Sequence, residues 1–293
     1  MSIDLLAIGT VTRDIATADP AATDYLLGGT VSFAAVTASR LGRRPAILTR
    51  AGDDVELSEL SGLADLHVLP SANTTTFANL YSPEGRVQYC YTPSPPIAAV
   101  DIPPQLRAPH IALLGPLVNE VPPEVASIFD ADTIVAAVPQ GWMRRWDEEG
   151  RVYPAPWQDR ERILPHLDAL ILSKEDIDGD LGQVEEFLEY ISLVVLTEYR
   201  DGSTVYRRRP DSEVETVPIP PRPASEVDPT GAGDIFATAF LLRLDETGDP
   251  LDAARYANVT ASFGVEGQGV TGIPSHKRVL DYMASHPWRR SGA

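Results

Sequence analysis

The chain has 293 residues, 43% of them hydrophobic, and a formal net charge of −18 at pH 7. This length allows one large α/β domain with a full core, and the negative charge repels nucleic acid phosphates, which argues against a DNA or RNA partner. No apolar run approaches the roughly 20 residues of a membrane span, and residues 1–4 lack the basic start of a signal peptide, so we expect a cytoplasmic protein with no membrane partner.

Strands alternate with helices along most of the chain. Continuous apolar runs predict buried parallel strands, and apolar residues at helical spacing predict the helices. The predicted strands are residues 3–9, 45–49, 111–115, 134–138, 169–173 and 193–197, and the predicted helices are 31–41, 122–129, 183–190, 235–244 and 251–263. This alternation predicts an α/β fold with a doubly wound, mostly parallel sheet, in a single domain of residues 1–293.

Two segments interrupt the alternation. Residues 75–81 and 86–91 are rich in aromatic and β-branched residues and flank the turn signal Ser-Pro-Glu-Gly at 82–85, which predicts a β-hairpin. Residues 11–27 form a second extended stretch between the first strand and a pair of glycines.

Cysteine and lysine are scarce. Cys90 is the single cysteine and cannot form an internal disulfide, and the five histidines show no metal-ligand spacing. Lys174 and Lys277 are the only lysines, and the sequence contains no Gly-Lys-Ser/Thr of a P-loop. If the chain handles ATP, backbone amides and arginines must therefore hold the phosphates.

The most informative segment is Val-Asp-Pro-Thr-Gly-Ala-Gly-Asp at residues 227–234, directly before the predicted helix 235–244. A glycine-rich turn that opens a helix points backbone N–H groups and the positive end of the helix dipole at one spot, which suits a phosphate. Asp234 places a carboxylate beside that spot, where it can take a proton from a hydroxyl that attacks a phosphoryl group. The alternative is an N-capping aspartate after a flexible turn.

This segment resembles the C-terminal signature of the pfkB (ribokinase-like) carbohydrate kinases. Gly-Gly-Thr-Val-Ser-Phe-Ala-Ala at residues 28–35 is similar to the N-terminal signature of the same family, and the two occur in the family's order. The resemblance implies a ribokinase-like fold. It also implies a small β-sheet lid from insertions at about 11–27 and 74–93, which covers the sugar and often forms a homodimer interface.

The resemblance assigns roles around the phosphate. It implies that Asp234 is the catalytic base and that the amides of Gly231, Ala232 and Gly233 form an anion hole. It further implies ATP as a substrate, Mg²⁺ as a cofactor and room for a monovalent cation such as K⁺. The implied nucleotide-binding residues are Thr197, Gly202, Thr230, Gly231, Gly233 and Asn258. The glycine cluster at 267–272 is either a flexible connection or a nucleotide or cation loop.

On the acceptor side, Asp14 follows the predicted first strand near its carboxyl end, where ligands of open α/β sheets bind. The resemblance implies that Asp14 accepts hydrogen bonds from substrate hydroxyls, and the alternative is a solvated loop acid. Gly28 and Gly29 would let the backbone approach the substrate closely, or would simply form the turn that starts the helix. Both roles are compatible.

The sequence departs from the family pattern at three places. Phe33 occupies the position of an asparagine that contacts the sugar in many members, so the resemblance implies that Phe33 contacts the substrate. Ser173 and Asp176 replace the ends of the Asn-x-x-Glu element that organises magnesium and phosphates, and Tyr199 replaces the first glycine of a Thr-x-Gly-x-x-Gly element. No metal ligand is therefore assigned from the sequence.

The stretches 138–147, 150–152 and 74–77 look like the inositol-kinase-like members of the family. Gln140 and Arg144 follow a predicted buried strand and could reach the substrate or phosphate, since a planar guanidinium pairs well with phosphate oxygens. The tryptophans of the first stretch are expected to pack. A cyclitol, with myo-inositol first, is the leading substrate.

Other functions stay open at this point. Within the family, the acceptor could be ribose, a ketohexose, 2-keto-3-deoxygluconate or a nucleoside. A non-catalytic sugar or nucleotide sensor is a second class. A dinucleotide-binding oxidoreductase is disfavoured because the predicted first strand is not followed by Gly-x-Gly-x-x-Gly.

Overall fold

The computed structural model describes residues 2–82 and 85–288. Its strands, in chain order, are β1 (Leu5–Ile8), β2 (Thr12–Ile15), β3 (Leu26–Gly28), β4 (Pro45–Ala51), β5 (Asp65–Pro70), β6 (Thr75–Ser82), β7 (Gly85–Tyr91), β8 (Ile111–Leu114), β9 (Ile134–Ala137), β10 (Arg144–Trp146), β11 (Val152–Pro154), β12 (Ala169–Ser173), β13 (Leu193–Thr197), β14 (Ser203–Arg208) and β15 (Val214–Ile219). Its helices are α1 (Thr30–Arg40), α2 (Ser58–Ser61), α3 (Arg160–Ile163), α4 (Gly182–Phe187), α5 (Ala232–Thr247), α6 (Pro250–Gly264) and α7 (His276–Ser285). No helix in this part of the chain is both long and apolar enough to cross a membrane.

Nine strands form one large sheet in the order β5-β4-β1-β8-β9-β12-β13-β14-β15. The pairs from β5 to β13 are parallel, whereas β13, β14 and β15 pair in antiparallel fashion at one edge. The central strands are continuous apolar runs because parallel sheets are covered on both faces. The predicted doubly wound, mostly parallel sheet is confirmed.

Two apolar cores cover the two faces of the large sheet. Successive side chains of a strand point to opposite faces, so in β1 Leu5 packs with α1, α5, α6 and α7, while Leu6 packs into the other core. That second core contains Trp142, which stacks on Trp157 with ring centroids 5.0 Å apart. The expected packing role of Trp142 is confirmed.

The chain reverses direction next to β1. It runs outwards from β1 to β4 and β5 and then returns to β8 on the other side of β1. Open α/β sheets bind ligands in the crevice outside such a reversal, which here lies at the carboxyl ends of β1 and β8. Helix α1 begins at this crevice and packs directly on Gly115, since a Cβ at Gly115 would collide with the Thr30 side chain.

The small sheet consists of β2, β3, β6 and β7, in the order β3-β2-β6-β7. Strands β6 and β7 pair in antiparallel fashion, which confirms the predicted hairpin, although residues 83–84 of its turn lie outside the described residues. Strands β2 and β6 are parallel. The pairing places Asp14 beside Phe77 and Phe77 opposite Cys90, so that these three residues share one face of the small sheet.

The small sheet contacts the segment that follows β8 through an apolar cluster. Phe77 and Cys90 pack there against Leu117 and Val118, with Trp146 at the edge of the cluster. Burial raises the pKa of the Cys90 thiol to about 12. The only thiol of the chain therefore lies beneath the small sheet in its protonated form.

Some local predictions were wrong or incomplete. The helix predicted at 122–129 is a short 3-10 helix, Pro123–Ser127, preceded by Pro122. Two successive prolines remove backbone N–H donors, which limits regular α-helical hydrogen bonding there. Strands β5, β14 and β15 and helix α7 lie outside the predicted elements. The assignment of the whole chain to one domain with lid insertions stays a prediction.

Candidate active site

Helix α5 begins at Ala232, directly after Gly231, whose φ of 73° places it in the left-handed region. That conformation favours glycine, because a Cβ there crowds the following carbonyl. A Cβ at Gly231 would also collide with the Phe33 ring. The turn before α5 therefore depends on glycine at this position for two separate reasons.

The N-terminus of α5 has the features of an anion site. The first N–H groups of a helix lack intrahelical partners, and the helix dipole is positive there. Within this turn, the Ala232 amide donates to the Pro229 carbonyl at 3.1 Å. Gly233 and Asp234 are the next two residues of the first turn. A direct role of the Ala232 amide in anion binding stays a prediction.

The Asp234 carboxyl group is half-buried in the first turn of α5. The pKa of Asp234 is raised to about 6, mainly by burial. The carboxylates of Asp176 and Asp14 also raise the pKa, whereas the Thr30 hydroxyl and the charge of Arg144 lower it. A carboxyl group with this pKa is largely ionised at pH 7 and more basic than an ordinary aspartate. It can therefore act as a general base.

Asp14 and the glycine pair, which the sequence predicts on the acceptor side, lie together. The Thr12 hydroxyl donates to Asp14 Oδ1 at 2.8 Å, and a Cβ on Gly28 would collide with the Asp14 carboxylate. The Ser32 hydroxyl donates to the Gly28 carbonyl at 2.7 Å, and Gly29 is the N-cap of α1. The structure thus brings these sequence-predicted residues together, while their contact with substrate stays a prediction.

Phe33 lies under the anion site. Its side chain is only 6% exposed, and its ring packs against the backbone of Gly231. This position favours a role in supporting the turn before α5. Contact between Phe33 and the substrate stays a prediction.

The small sheet presents an amide pair on the same face as Asp14. By register, Asn79 and Gln88 are opposite each other, two residues beyond Phe77 along β6. Gln88 Nε2 donates to Asn79 Oδ1 at 2.8 Å, and both side chains are half-buried. This pair was not predicted from the sequence, because only the strand register reveals that the two amides meet.

Gln140 and Arg144 lie on the segment after β9. Gln140 is half-buried in the 3-10 helix Pro139–Met143, and Arg144 is the first residue of β10. Arg144 acts electrostatically on both Asp234 and Cys90, lowering the pKa of each. Its charge is therefore within reach of the base and of the small sheet. Contact of Gln140 and Arg144 with a ligand stays a prediction.

The ends of β12 and β13 carry a second group of residues that act on Asp234. Ser173 and Thr197 end these strands and are paired by register. The Ser173 backbone N–H and hydroxyl both donate to Asp176 Oδ2, each at 2.7 Å. These bonds fix the Asp176 carboxylate near enough to Asp234 to raise its pKa. Ser173 and Asp176 thus form a compact unit where the family pattern has Asn-x-x-Glu.

The described residues contain no group of three or more His, Cys, Asp and Glu side chains that could hold a metal ion. Mg²⁺ does not require such a group, since it commonly uses one or two carboxylates, several waters and substrate phosphates. Asp176 is held by its bonds to Ser173 and acts electrostatically on Asp234. The residues present therefore fit Mg²⁺ that arrives with a phosphate ligand.

The loop after β13 carries one of the departures from the family pattern. Tyr199 has a φ of 60°, in the region that favours glycine, and is 71% exposed. Its hydroxyl lies 3.5 Å from Glu226 Oε1, and Arg200 forms an ion pair with the same carboxylate at 3.4 Å. The loop thus contacts the segment that leads to the anion site. Nucleotide contacts of Thr197 and Gly202 stay predictions.

Hydrogen bonds also tie the glycine cluster at 267–272 to this segment. Asp228 accepts from the Thr230 amide at 2.9 Å and from the Gly269 amide at 2.8 Å. These bonds indicate an ordered connection. The Asn258 amide donates to the Ile219 carbonyl at 3.0 Å, which gives Asn258 a structural role. Nucleotide contacts of Thr230 and Asn258, and a K⁺ site, stay predictions.

A buried acid that the sequence does not reveal links the two strands at the crevice. Glu120 is 1% exposed and accepts hydrogen bonds from the backbone N–H groups of Thr10 (2.9 Å), Leu117 (3.0 Å) and Val118 (2.8 Å). Burial raises the pKa of Glu120. The side chain joins the loops after β1 and β8 and so fixes the floor of the site.

Thr30 is a further residue that was not predicted. Its side chain is 3% exposed, and its hydroxyl lowers the pKa of Asp234. Its position directly after the glycine pair is the one sequence signal that could have identified it. Glu120 has no such signal, because its bond to Thr10 spans 110 positions.

Comparison with known sequences gives one family and two groups of kinases. A sequence profile described as "pfkB family carbohydrate kinase" matches residues 155–278. The chain is 26% identical over 129 residues to a nucleoside kinase of Methanocaldococcus jannaschii, a match that spans 42% of this chain but only 41% of that enzyme. It is 26% identical over 314 residues to an inositol 3-kinase of Oryza sativa subsp. japonica, with 97% of this chain and 75% of that enzyme covered.

Comparison with solved structures supports the fold along nearly the whole chain. A pyrophosphate-dependent kinase in the ribokinase family, complexed with a pyrophosphate analog and myo-inositol, superposes with a TM-score of 0.77 at 20% identity, covering 95% of this chain and 99% of that chain. The predicted ribokinase-like architecture, with a large sheet and a separate small sheet, is confirmed.

Proposed function

We propose that this chain, whose residues 155–278 match the pfkB family of carbohydrate kinases, transfers the terminal phosphoryl group of ATP to a hydroxyl of a small cyclic polyol. The observation that carries the proposal is the placement of Asp234. Its carboxyl group lies at the N-terminus of α5, with a pKa of about 6, within electrostatic reach of Asp14 and of Asp176. A base, an anion site and an acceptor site therefore meet at one crevice.

The reaction follows from this arrangement. The acceptor hydroxyl gives its proton to Asp234 while its oxygen attacks the terminal phosphorus. The bond between that phosphorus and the bridging oxygen breaks, and ADP leaves with the electron pair. The amides at the start of α5 stabilise the charge on the transferring group. Asp176 would help to hold Mg²⁺ bound to the donor phosphates, and the ion would supply further neutralisation of that charge.

A cyclic polyol suits the groups that surround the acceptor side. Asp14 offers carboxylate oxygens, and Asn79 and Gln88 offer amide donors and acceptors on the same face of the small sheet. Arg144 adds a positive charge within reach of the base. Polar groups spread in this way match hydroxyls around the edge of a ring. One relative, an inositol 3-kinase, and one structural neighbour, complexed with myo-inositol, support this class, whereas another relative is a nucleoside kinase.

The first test is an acceptor panel with ATP and Mg²⁺. We expect myo-inositol or a related cyclitol to exceed ribose, fructose, 2-keto-3-deoxygluconate and nucleosides by at least about tenfold in kcat/KM, or roughly 1.4 kcal/mol of transition-state binding. Polar sites discriminate strongly because an unsuitable ligand leaves their groups unpaired. ADP formation measures activity, and phosphorus NMR of the product identifies the phosphorylated hydroxyl.

Two variants of the small sheet test which residues determine the acceptor preference. Asn79→Leu and Gln88→Leu remove the amide pair, and each should reduce the preference for the cyclitol over ribose. A tenfold preference for a nucleoside in the wild-type protein would refute the cyclitol assignment and leave the kinase assignment intact. Binding of a sugar that raises the Tm, with no phosphorylated product from any donor, would instead support a sensor.

The phosphoryl donor is tested with the best acceptor. We expect turnover with ATP and Mg²⁺, and its loss when EDTA removes the metal, because the protein supplies few ligands and the metal neutralises phosphate charge. Pyrophosphate serves as the competing donor, since a structural neighbour depends on it. Turnover with pyrophosphate but not with ATP would overturn the donor assignment, whereas the role of Asp234 would stand.

A further inference from the structure

Glu120 is a buried acid to which the proposed reaction assigns no role. Its Oε1 accepts hydrogen bonds from the backbone N–H groups of Thr10 at 2.9 Å and Leu117 at 3.1 Å. Its Oε2 accepts from those of Leu117 at 3.0 Å and Val118 at 2.8 Å. Both oxygens are therefore bound to donors, an arrangement that matches the ionised carboxylate, which has two acceptor oxygens and no proton.

The bond to Thr10 fixes the turn that leads from β1 towards Asp14. The Thr10 carbonyl lies directly against Gly29, since a Cβ at Gly29 would come within 2.5 Å of the carbonyl oxygen. Two residues further along, the Thr12 hydroxyl donates to Asp14 Oδ1 at 2.8 Å. The carboxylate and the glycine that are expected to seat the acceptor are thus both supported by backbone that Glu120 holds.

The bonds to Leu117 and Val118 fix the segment on which the small sheet rests. The side chains of Leu117 and Val118 pack against Phe77 of β6 and Cys90 of β7. Strand β6 is in turn the parallel partner of β2, the strand that contains Asp14. One carboxylate therefore joins two supports of the acceptor side, the turn after β1 and the base of the small sheet.

We propose that Glu120 is a positioning residue for the acceptor, which fixes the turn that leads to Asp14 relative to the small sheet and so determines how tightly the acceptor binds. This inference rests on the proposed function. The donor side has hydrogen bonds of its own, from the Thr230 amide to Asp228 and from Ser173 to Asp176. Loss of the Glu120 carboxylate should therefore weaken acceptor binding and leave donor binding unchanged.

Glu120→Gln is the decisive variant because it keeps the size of the side chain and changes one oxygen into an NH₂ group. In one orientation of the amide this donor faces the Thr10 N–H, and in the other it faces the Val118 N–H. Two donors that face each other cannot form a hydrogen bond, so one of the two segments loses its attachment in either orientation. The turn and the small sheet are then no longer fixed relative to each other.

Asp168→Asn is the matched control. Asp168 Oδ2 accepts a hydrogen bond from the Val135 N–H at 2.8 Å, near the amino end of β9. The same chemical change therefore disturbs a carboxylate–backbone bond at the edge of the large sheet that is opposite to the crevice. For each protein we would measure Tm, the KM values, and the Kd of the best acceptor and of ATP, each titrated alone by calorimetry.

We expect Glu120→Gln to raise the Kd and KM for the acceptor by at least about tenfold and to keep the Kd for ATP within about twofold of the wild type, as loss of a hydrogen bond to a charged group implies. Asp168→Asn should keep both affinities whatever its Tm. A purely structural role of Glu120 would lower Tm without this difference between acceptor and donor.

Three results would overturn the inference: a wild-type acceptor Kd in folded Glu120→Gln, an equal loss of affinity for acceptor and ATP, or an equal loss of acceptor affinity in Asp168→Asn. If Glu120→Gln does not fold, Glu120→Asp is judged by the same criteria. It keeps the charge but is one methylene too short to reach both segments.

The failure of this inference can be told from failure of the proposed function. If the wild-type protein phosphorylates a cyclitol while Glu120→Gln keeps the wild-type acceptor Kd, the proposed function stands and Glu120 does not position the acceptor. If the wild-type protein phosphorylates no acceptor of the panel, the proposed function is wrong and this inference falls with it.

Discussion

Asp234→Asn should lower kcat by at least about a hundredfold with little change in ATP binding. The amide keeps the size of the carboxyl group but cannot accept the proton of the acceptor hydroxyl, and general base catalysis typically contributes that much. Steady-state kinetics give kcat, and calorimetric titration gives the Kd for ATP. The wild-type kcat/KM should rise as pH increases through about 6 and then level off, because only the ionised form of Asp234 accepts a proton.

Asp245→Asn is the control for this experiment. Asp245 is near the other end of α5, about 16 Å along the helix axis from Asp234, so the same chemical change is made away from the crevice. We expect wild-type kinetics for it. Wild-type turnover in a well-folded Asp234→Asn protein would exclude Asp234 as the base.

Gly231→Ala should lower the stability of the protein, whereas Gly233→Ala, two residues away, should leave it nearly unchanged. At position 231 a side chain meets both a left-handed backbone and the Phe33 ring, which together cost about 2–4 kcal/mol. Gly231→Ala should therefore lower the Tm by about 5 °C or more and reduce kcat by at least about tenfold, because the anion site is displaced.

At position 233 an added Cβ meets no atom within 4 Å. Gly233→Ala should keep the Tm within about 1 °C of the wild type, as exposed substitutions usually do. Any loss of activity in it would then report crowding of the phosphate, seen as a raised KM for the donor. Equal Tm losses in the two variants would contradict the assignment of strain to Gly231 alone.

The parts of the fold that could be predicted are those with a local cause. The strands β1 and β8 are apolar throughout, and β12 and β13 are apolar up to their last residues, Ser173 and Thr197, because these strands are covered on both faces. Their composition alone therefore identifies them. The edge strand β15 alternates exposed and half-buried residues and contains Pro218, which weakens its strand signal. Its existence depends on pairing with β14, a contact that no single segment encodes.

The residues of the site show the same difference between local and tertiary causes. Asp234 and Gly231 were predicted because a short contiguous motif contains the turn, the helix start and the base. The place of Phe33 under Gly231 could not be predicted, since it depends on how α1 packs beside α5. Glu120 and the Asn79–Gln88 pair were missed because their partners are set by strand order and register. In each case the missing information is tertiary.

The position of Cys90 gives the molecule a built-in probe of its own motion. The thiolate is the form of cysteine that attacks a disulfide reagent, and this thiol is buried between the small sheet and the segment after β8, with a pKa of about 12. Modification therefore requires the small sheet to separate from that segment. Because the chain has no second cysteine, all labelling reports on this separation. The rate of labelling by a coloured disulfide reagent thus measures how often the acceptor side of the crevice opens, without any engineered label.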